Sequence, residues 1–151
     1  MSKLKQLYQQ LIIDHSQKPR NFGRLETFSH HCEGHNPLCG DDINLFLLVD
    51  EENLIRDIKF EGQGCSISQA SASMLSERVK GCSIDQALKL FRQFQGMILG
   101  ELDPDKDTHD LGKTAVFGGV KEYPSRIKCA ILAWHALKGA LEKEVEEIST
   151  E

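Results

Sequence analysis

Basic residues are outnumbered in this 151-residue sequence, which holds 18 Lys and Arg against 23 Asp and Glu. The formal net charge of −5 argues against a nucleic-acid-binding protein, because such proteins present a basic face. Long apolar runs are also absent: none approaches the roughly 20 residues that span a bilayer, and the N-terminus lacks a signal-peptide pattern. We expect a cytoplasmic protein with no membrane or nucleic-acid partner, which folds as one domain over residues 1–151.

Cysteine is present in an odd number, five residues, and in a reducing compartment such residues bind metal or react more often than they form disulfides. Cys39, Cys65 and Cys129 each lie beside a predicted turn or helix start. Asp41 follows Cys39 by two residues where a turn opens into an extended segment, so both side chains point to the same side. Three thiols and one carboxylate form a complete ligand set for a tetrahedral thiophilic metal. We expect one metal site here, against the alternative of three unrelated core thiols.

The sequence around these cysteines favours ionised thiols. Cys65 and Cys129 are predicted at helix starts, where free backbone N–H groups and the helix dipole stabilise a thiolate. Gly40, Gly62 and Gly64 are expected to let backbone approach a buried metal or a partner's reactive group.

The other cysteines and the histidines allow further interpretations. Cys32 and Cys82 lack comparable turns, and we take both as structural residues. His31 or His35 could replace Asp41 as a metal ligand. A cysteine hydrolase that uses these histidines is disfavoured, because the sequence offers no recognisable oxyanion hole.

Two motif matches fail at defining positions. Residues 103–107 open like an EF-hand loop, but Thr108 and Thr114 replace the required Gly and Glu. Residues 112–114 end like a phosphate-binding P-loop, but Asp107 occupies the position of its first Gly. Neither motif therefore predicts a function.

Hydrophobic periodicity predicts four helices and a small number of strands. The helices are expected at 2–18, from a cap at Ser66 to Gly81, from a capping box of Ser83 and Gln86 to Gly100, and from Pro124 onward. The first is expected to bury Leu4, Leu7, Tyr8, Leu11 and Ile12, and the last Ile127, Ile131, Trp134, Leu137, Leu141 and Val145. Strands are expected at 42–49 and 54–60, joined by a turn at 50–53, with a short edge strand at 28–33. Residues 101–123 are predicted as a long polar connection, and the acidic tail from Glu142 is expected to fray.

Four segments of the sequence resemble the NifU/IscU family of iron–sulfur assembly proteins. They are residues 8–23, Asn-Pro-Leu-Cys-Gly-Asp at 36–41, Gly-Cys-Ser-Ile-Ser at 64–68 followed by Ala70 and Ser71, and Lys-Cys at 128–129. The resemblance extends from about Leu7 to Leu141 and keeps the three cysteine motifs in the family's order. It implies an α+β fold in which a small antiparallel β-sheet packs against several α-helices.

The sequence differs from the scaffold members of that family in three features, and in all three it resembles the SufU branch. Scaffold members carry a histidine immediately before the third cysteine, where this sequence has Lys128. Their Leu-Pro-Pro-Val-Lys chaperone-recognition motif is replaced by Glu-Tyr-Pro-Ser-Arg at 122–126. The connection between the second and third cysteines is longer and includes Gly-Gly-Val at 118–120.

The SufU-like features imply a zinc-dependent sulfurtransferase that works with a pyridoxal-phosphate-dependent, SufS-like cysteine desulfurase and other Suf assembly proteins. By this resemblance, Cys39, Asp41, Cys65 and Cys129 match the zinc ligands, and Cys39 matches the persulfide-accepting cysteine. The alternative is a scaffold that assembles a [2Fe–2S] cluster with the same ligands. A third interpretation is a structural zinc domain without a reactive thiol.

Overall fold

A computed structural model gives the structure of the protein over residues 3–142 and 147–149. Its elements are α1 (Lys3–Gln17), β1 (His30–Asn36), β2 (Asp41–Val49), β3 (Ile55–Gln63), α2 (Ser66–Val79), α3 (Ile84–Ile98), a 3-10 segment (Gly112–Glu122), α4 (Pro124–Glu142) and β4 (Glu147–Ser149). The predictions for Ser2, for Val145 and for the side chains of Leu4, Leu7 and Tyr8 lie outside what the structure describes. No helix in the described ranges is long and apolar enough to cross a membrane.

The strands of the described ranges form one mixed sheet in the order β3-β2-β1-β4. The antiparallel pairs β1–β2 and β2–β3 confirm the expected α+β fold with a small antiparallel sheet. The strand predicted at 28–33 is present but lies at His30–Asn36, and the expectation that it forms an edge is wrong, because β1 pairs with β2 on one side and in parallel with β4 on the other. The prediction that the acidic tail frays is wrong for residues 147–149 as well. Three residues are too short a run to show the alternation that identifies a strand.

The predicted hairpin turn at 50–53 is present between β2 and β3. The Asp50 Oδ1 atom accepts hydrogen bonds from the backbone N–H groups of Glu52, at 2.9 Å, and Leu54, at 3.0 Å. Asn53 adopts the left-handed region with φ of 62°, which Asn tolerates better than most residues. These contacts fix the register of β2 against β3, which follow each other directly in the chain.

Helices α2 and α3 begin at different kinds of cap. The capping box predicted for α3 is present, with 3.1 Å from Gln86 N to Ser83 Oγ and 2.9 Å from Ser83 N to Gln86 Oε1. For α2 the prediction of Ser66 as the cap is wrong. The N-cap is Cys65, whose sulfur accepts a hydrogen bond from the Ser68 backbone N–H at 3.5 Å. A sulfur can serve because a cap needs only an acceptor for a free N–H group.

Helix α4 is central to the core and packs on α2, α3, β1 and β2. The side chains predicted to face inward on it are buried or packed against the core: Ile127, Ile131, Trp134, Leu137 and Leu141. The other sides of the helix are also buried, and there the residues are alanines: Ala130, Ala133, Ala136 and Ala140. A helix that is apolar on nearly all sides belongs in a protein interior. Cys129 enters the core on this helix.

The prediction of a long polar connection at 101–123 is wrong for its second half, which forms the 3-10 segment Gly112–Glu122. This segment packs against α3 and α4. Buried side chains at every third residue, Leu111 at its cap and then Thr114, Phe117 and Val120, line one face of it, and Val116 is buried beside them. A 3-10 helix has three residues per turn, which explains this spacing. A search for the 3.6-residue period of an α-helix does not detect that pattern.

Polar contacts join α1 and the segment after it to α2. The His15 side chain is 2% exposed, and its Nδ1 atom lies 2.7 Å from Ser73 Oγ. The same hydroxyl oxygen accepts a hydrogen bond from the Arg20 backbone N–H at 2.8 Å. Burial lowers the pKa of His15, and Arg20 lowers it further, while Glu77 at 3.7 Å raises it. Burial also lowers the pKa of His135, on α4.

Both histidines are therefore expected to destabilise the protein in mild acid. A folded-state pKa below the ordinary 6.5 leaves stability intact above pH 6.5 and reduces it as the pH falls toward the folded-state value. The melting temperature of the metal-free protein should fall between pH 7.5 and 5.5. His15→Gln and His135→Gln should each make that fall shallower, and the double variant should make it shallowest. An equal fall in all four proteins would contradict the assignment.

Candidate metal centre

Cys39 lies in the turn between β1 and β2, and Asp41 is the first residue of β2. The Cys39 backbone N–H donates to the Asn36 carbonyl at 3.2 Å, and Gly40 adopts a left-handed φ of 71° that completes the turn. The Cys39 side chain is exposed, whereas Asp41 is 2% exposed. Cys39 and Asp41, two positions apart in the sequence, therefore differ sharply in their access to solvent.

The Asp41 carboxylate is held by hydrogen bonds to both of its oxygens. Its Oδ1 atom accepts from the Cys65 backbone N–H at 2.7 Å, and its Oδ2 atom accepts from Asn36 Nδ2 at 3.2 Å. Gly64 is required here, because a Cβ atom at that position would collide with Asp41 Oδ1. The expectation that Gly62 allows close approach to a metal or to a partner's reactive group is wrong. A Cβ there would collide with the Asp42 carbonyl oxygen, so Gly62 serves the approach of β3 to β2.

Cys65 lies at the start of α2, as predicted. Its Sγ atom is 3.8 Å from Asp41 Oδ2 and accepts from the Ser68 backbone N–H. The prediction for Cys129 is wrong in one respect. Helix α4 begins at Pro124, so Cys129 lies in the second turn, beyond the free N–H groups of the helix start.

Cys129 is 2% exposed, and its environment opposes ionisation. Burial raises the pKa of its thiol well above the ordinary range, with a further rise from hydrogen bonding to Cys39 and Asp41 and from the charge of Cys65. A metal cation reverses this balance by supplying positive charge at the sulfur. The thiol is therefore suited to a metal ligand and poorly suited to react as a free nucleophile.

The four residues come together from three parts of the chain: the turn into β2, the start of α2, and α4. Within the described residues, ligand atoms of Cys39, Asp41 and Cys129 lie within 4.8 Å of one another. The Cys39 and Cys129 sulfurs are 3.3 Å apart, and the Cys65 sulfur adjoins the group through Asp41. Two sulfurs on a tetrahedral zinc, each at about 2.3 Å, are separated by about 3.8 Å. The spacing and donor types of Cys39, Asp41 and Cys129 fit one zinc ion, whereas the Cys65 sulfur lies outside that 4.8 Å group and would have to turn toward it.

The histidines considered as alternative ligands lie elsewhere. Side chains alternate along β1, and Asn36 points into the site while His31 and His35 point to the opposite face. His31 Nε2 lies 2.9 Å from Asn44 Oδ1, and His35 lies between carboxylates, with Nε2 3.2 Å from Glu33 Oε1. The hypothesis that either replaces Asp41 is therefore wrong.

Cys32 and Cys82 also lie outside the group. Cys32 is fully buried in the core under the sheet. Cys82 follows α2, where its thiol contacts the Arg78 carbonyl at 3.5 Å. Among the described residues, neither belongs to the group of ligand atoms that Cys39, Asp41 and Cys129 form.

Asn36 belongs to this site as well, although its residue type alone does not mark it as a site residue. Its Nδ2 atom donates to Asp41 Oδ2 at 3.2 Å and to Cys129 Sγ at 3.4 Å, and its side chain is fully buried. The signal available in the sequence was a polar residue at the end of a strand, three positions before a cysteine. Only the strand register, which pairs Asn36 with Asp41, turns that signal into a contact.

The three sulfurs border an open groove of about 500 Å³. Helix α1 forms one wall with Gln9, Ile12 and Ile13, and the start of α4 forms another with Ser125 and Arg126. A group carried by a partner molecule can therefore reach the site from this side.

The fold and the site define an α+β protein with a candidate thiol-and-carboxylate metal site that is open to one side. The chain belongs to the family described as the NifU-like N-terminal domain, whose model matches residues 7–130. It is 44% identical over 144 residues to the zinc-dependent sulfurtransferase SufU of Bacillus subtilis, with 95% of each chain covered. It is 41% identical to the iron–sulfur cluster assembly scaffold protein IscU of Streptococcus pyogenes, covering 95% of this chain and 87% of that one.

Solved structures agree with this fold. A candidate iron–sulfur cluster assembly scaffold protein for the SUF system from Fervidobacterium islandicum superposes with a TM-score of 0.83 at 38% identity, covering 90% of this chain and 97% of that one. The N-terminal part of a NifU-like protein from Brucella abortus gives a TM-score of 0.80 at 19% identity, covering 95% of this chain and all of that one. The second likeness concerns the fold alone.

The difference in exposure among the cysteines predicts an order of alkylation. After removal of metal by a chelator, iodoacetamide should modify Cys39 first and Cys129 much more slowly, because Cys129 is buried and its thiol resists ionisation. Peptide mass spectrometry over a time course measures each rate, with fully buried Cys32 as the slow reference. Equal rates at Cys39 and Cys129 in folded protein would contradict the geometry.

Proposed function

We propose that this chain is a zinc-dependent sulfurtransferase that accepts persulfide sulfur from a cysteine desulfurase for iron–sulfur cluster biogenesis. The observation that carries the proposal is the unequal exposure of the site. Cys39 is exposed in a turn, while Asp41 and Cys129 are each 2% exposed. A transfer protein needs one accessible thiol in an otherwise fixed ligand set. The SufU relative of Bacillus subtilis supports the same activity.

Four residues would hold the zinc ion: Cys39, Asp41, Cys65 and Cys129. The donor set of three thiols and one carboxylate is typical of zinc. When bound, zinc keeps the thiols ionised and shields them from oxidation. The protein contributes the orientation of the ligands, through the hydrogen bonds of Asp41 to Cys65 N and Asn36 Nδ2.

Sulfur transfer then follows thiol–disulfide exchange chemistry at Cys39. The Cys39 thiolate attacks the outer sulfur of the partner's cysteine persulfide. A sulfur–sulfur bond forms on Cys39 as the bond within the partner's persulfide breaks, and the partner's cysteine leaves as a thiolate. No external oxidant or reductant is needed, because the sulfur passes between two cysteines without net electron transfer.

The partner in this proposal is a pyridoxal-phosphate-dependent cysteine desulfurase of the SufS type, acting with other Suf proteins in the cytoplasm. The groove beside the three sulfurs is large enough to admit a short segment that carries a persulfide. Ile13 on its rim is 55% exposed, and Leu38, next to Cys39, is 70% exposed. Exposed apolar side chains around a reactive thiol are suited to contact with a protein surface.

The second candidate function is a scaffold for a [2Fe–2S] cluster. The IscU relative at 41% identity favours it, and the same cysteines could ligate iron. Lys128 weakens this candidate, because it stands where the scaffold members have a histidine. Lysine is not among the residues that hold such clusters.

The ligand assignment predicts the composition of the metal site. Purified protein should contain one zinc per chain and be colourless. X-ray absorption should find three sulfurs at about 2.3 Å and one oxygen at about 2.0–2.2 Å. Asp41→Ala should weaken zinc binding by roughly tenfold or more, measured by competition with a chromophoric chelator.

Cys32→Ala and Cys82→Ala are the matched controls for this measurement. Both remove a thiol outside the proposed ligand set, so both should keep one zinc per chain. Imidazole in the metal's shell, only two sulfurs, or loss of zinc in a folded control would show that the ligands are assigned wrongly.

The role of Cys39 is tested by locating the transferred sulfur. Incubation with desulfurase, pyridoxal phosphate and cysteine should add one sulfur atom at Cys39, detected by mass spectrometry after alkylation. Cys39→Ser should abolish the adduct and retain desulfurase binding, because the groove walls are unchanged.

Cys82→Ser serves as the control and should still accept sulfur. An adduct at Cys129 would refute the role of Cys39. No adduct, together with ready assembly of a [2Fe–2S] cluster on the zinc-free protein, would favour the scaffold function.

A further inference from the structure

Asn36 occupies a position that the proposed transfer reaction leaves unexplained. It is the last residue of β1, and its Cα atom pairs with that of Asp41 across the antiparallel ladder. Residues directly opposite in such a pair point to the same face, so the two side chains meet. Asn36 is fully buried, and an apolar residue of similar size would avoid the desolvation of an amide there.

The orientation of the Asn36 amide is set by the site. An Asn NH₂ group has two donors, and here one points to Asp41 Oδ2 at 3.2 Å and the other to Cys129 Sγ at 3.4 Å. The opposite orientation would place the amide oxygen against a carboxylate that only accepts hydrogen bonds. The Asn36 Oδ1 atom itself is buried without a hydrogen-bond partner among the described residues. Both N–H donors of the amide therefore bond to residues of the site, whereas its oxygen accepts no hydrogen bond among the described residues.

These bonds divide the four proposed ligands into two kinds. Cys129 receives the Asn36 amide, and Cys65 receives the Ser68 backbone N–H at 3.5 Å. Asp41 receives two N–H donors. In the part of the chain that the structure describes, the Cys39 sulfur receives no N–H donor, and its hydrogen-bond contact is with the sulfur of Cys129, at 3.3 Å.

We propose that Asn36 is a positioning residue that holds Asp41 and Cys129 in the metal site and so leaves Cys39 as the cysteine that accepts sulfur. This inference rests on the proposed transfer function. A hydrogen bond to sulfur withdraws charge from it and fixes its direction, so Cys129 is a poorer nucleophile and a firmer ligand. Without the Asn36 amide, Cys129 and Asp41 lose a shared anchor, and the distinction between Cys129 and Cys39 diminishes.

The test uses the full-length zinc protein and two variants of Asn36. Asn36→Leu removes both donors at similar volume. Asn36→Asp keeps the shape, removes the donors and adds a negative charge beside Asp41, so it remains informative if the Leu variant does not fold. Asn44→Leu is the matched control, since it removes an amide on the opposite face of the sheet, 2.9 Å from His31 Nε2.

Two measurements are made on protein whose fold is verified by circular dichroism. Zinc affinity, from competition with a chromophoric chelator, should fall roughly 10- to 100-fold in the Asn36 variants and stay within about twofold in the control. After incubation with desulfurase and cysteine, mass spectrometry should find part of the transferred sulfur at Cys129 in the variants. Wild type and control should carry it at Cys39 alone.

Unchanged zinc affinity in a folded Asn36 variant, or sulfur confined to Cys39 in both variants, would overturn the inference. Failure of the proposed function has a different signature. Wild-type protein would then accept no sulfur, while the zinc measurement would still decide whether Asn36 anchors the ligands.

Discussion

The Asp41 carboxylate is almost fully buried, and its need for hydrogen-bond donors ties the sheet to the helices around the site. An unpaired buried carboxylate is costly by several kcal/mol, so the fold must supply partners for it. One partner is the backbone N–H of Cys65 at the start of α2, and the other is the Asn36 amide at the end of β1. Gly64 leaves the room for this approach. The carboxylate is satisfied only when strand and helix take these positions, which also brings the ligand atoms together.

Cys129, the site residue on helix α4, is held in a different way, by packing of the helix in the core. The turns of the helix are buried on nearly all sides, and Trp134 stacks on Phe94 with ring centroids 4.5 Å apart. Against β1 the helix approaches closely, because Gly34 carries no side chain where a Cβ would press on Leu132. Cys129 is thus held by core packing, while Cys39 belongs to a turn that packs against little. Segments with few buried contacts open at lower free energy than core helices.

The sequence predicted most of what depends on short-range patterns. The helices, the central hairpin and the capping box of α3 follow from periodicity and from local hydrogen bonding, and these predictions are confirmed. The errors arise where tertiary contacts decide. Cys65 replaces Ser66 as a cap, because its position next to Asp41 sets the start of α2. The 3-10 segment follows a three-residue period, and β4 is too short to identify without its partner strand.

The site was predictable in its residue types and not in its arrangement. Three cysteines and an aspartate beside turns indicated one thiophilic metal site, and the family resemblance supplied their expected roles. The predicted helix start at Pro124 already placed Cys129 in the second turn, so its description as a helix-start residue was an error of local interpretation. No local pattern indicated that Asn36 links Asp41 to Cys129, because that contact depends on the register of β1 against β2 and on the docking of α4.

The same arrangement separates the two functions that these ligands could serve. A scaffold has to keep every ligand in place while a cluster is built, so equal support for all of them would suit it. Here the support is unequal: Asp41, Cys65 and Cys129 each receive N–H donors, and Cys39 receives none in the described part of the chain. By the family resemblance, Lys128 also stands where scaffold members carry a histidine. In the proposed ligand set, three residues are held by N–H donors and one thiol is exposed, which suits the transfer of sulfur better than the retention of a cluster.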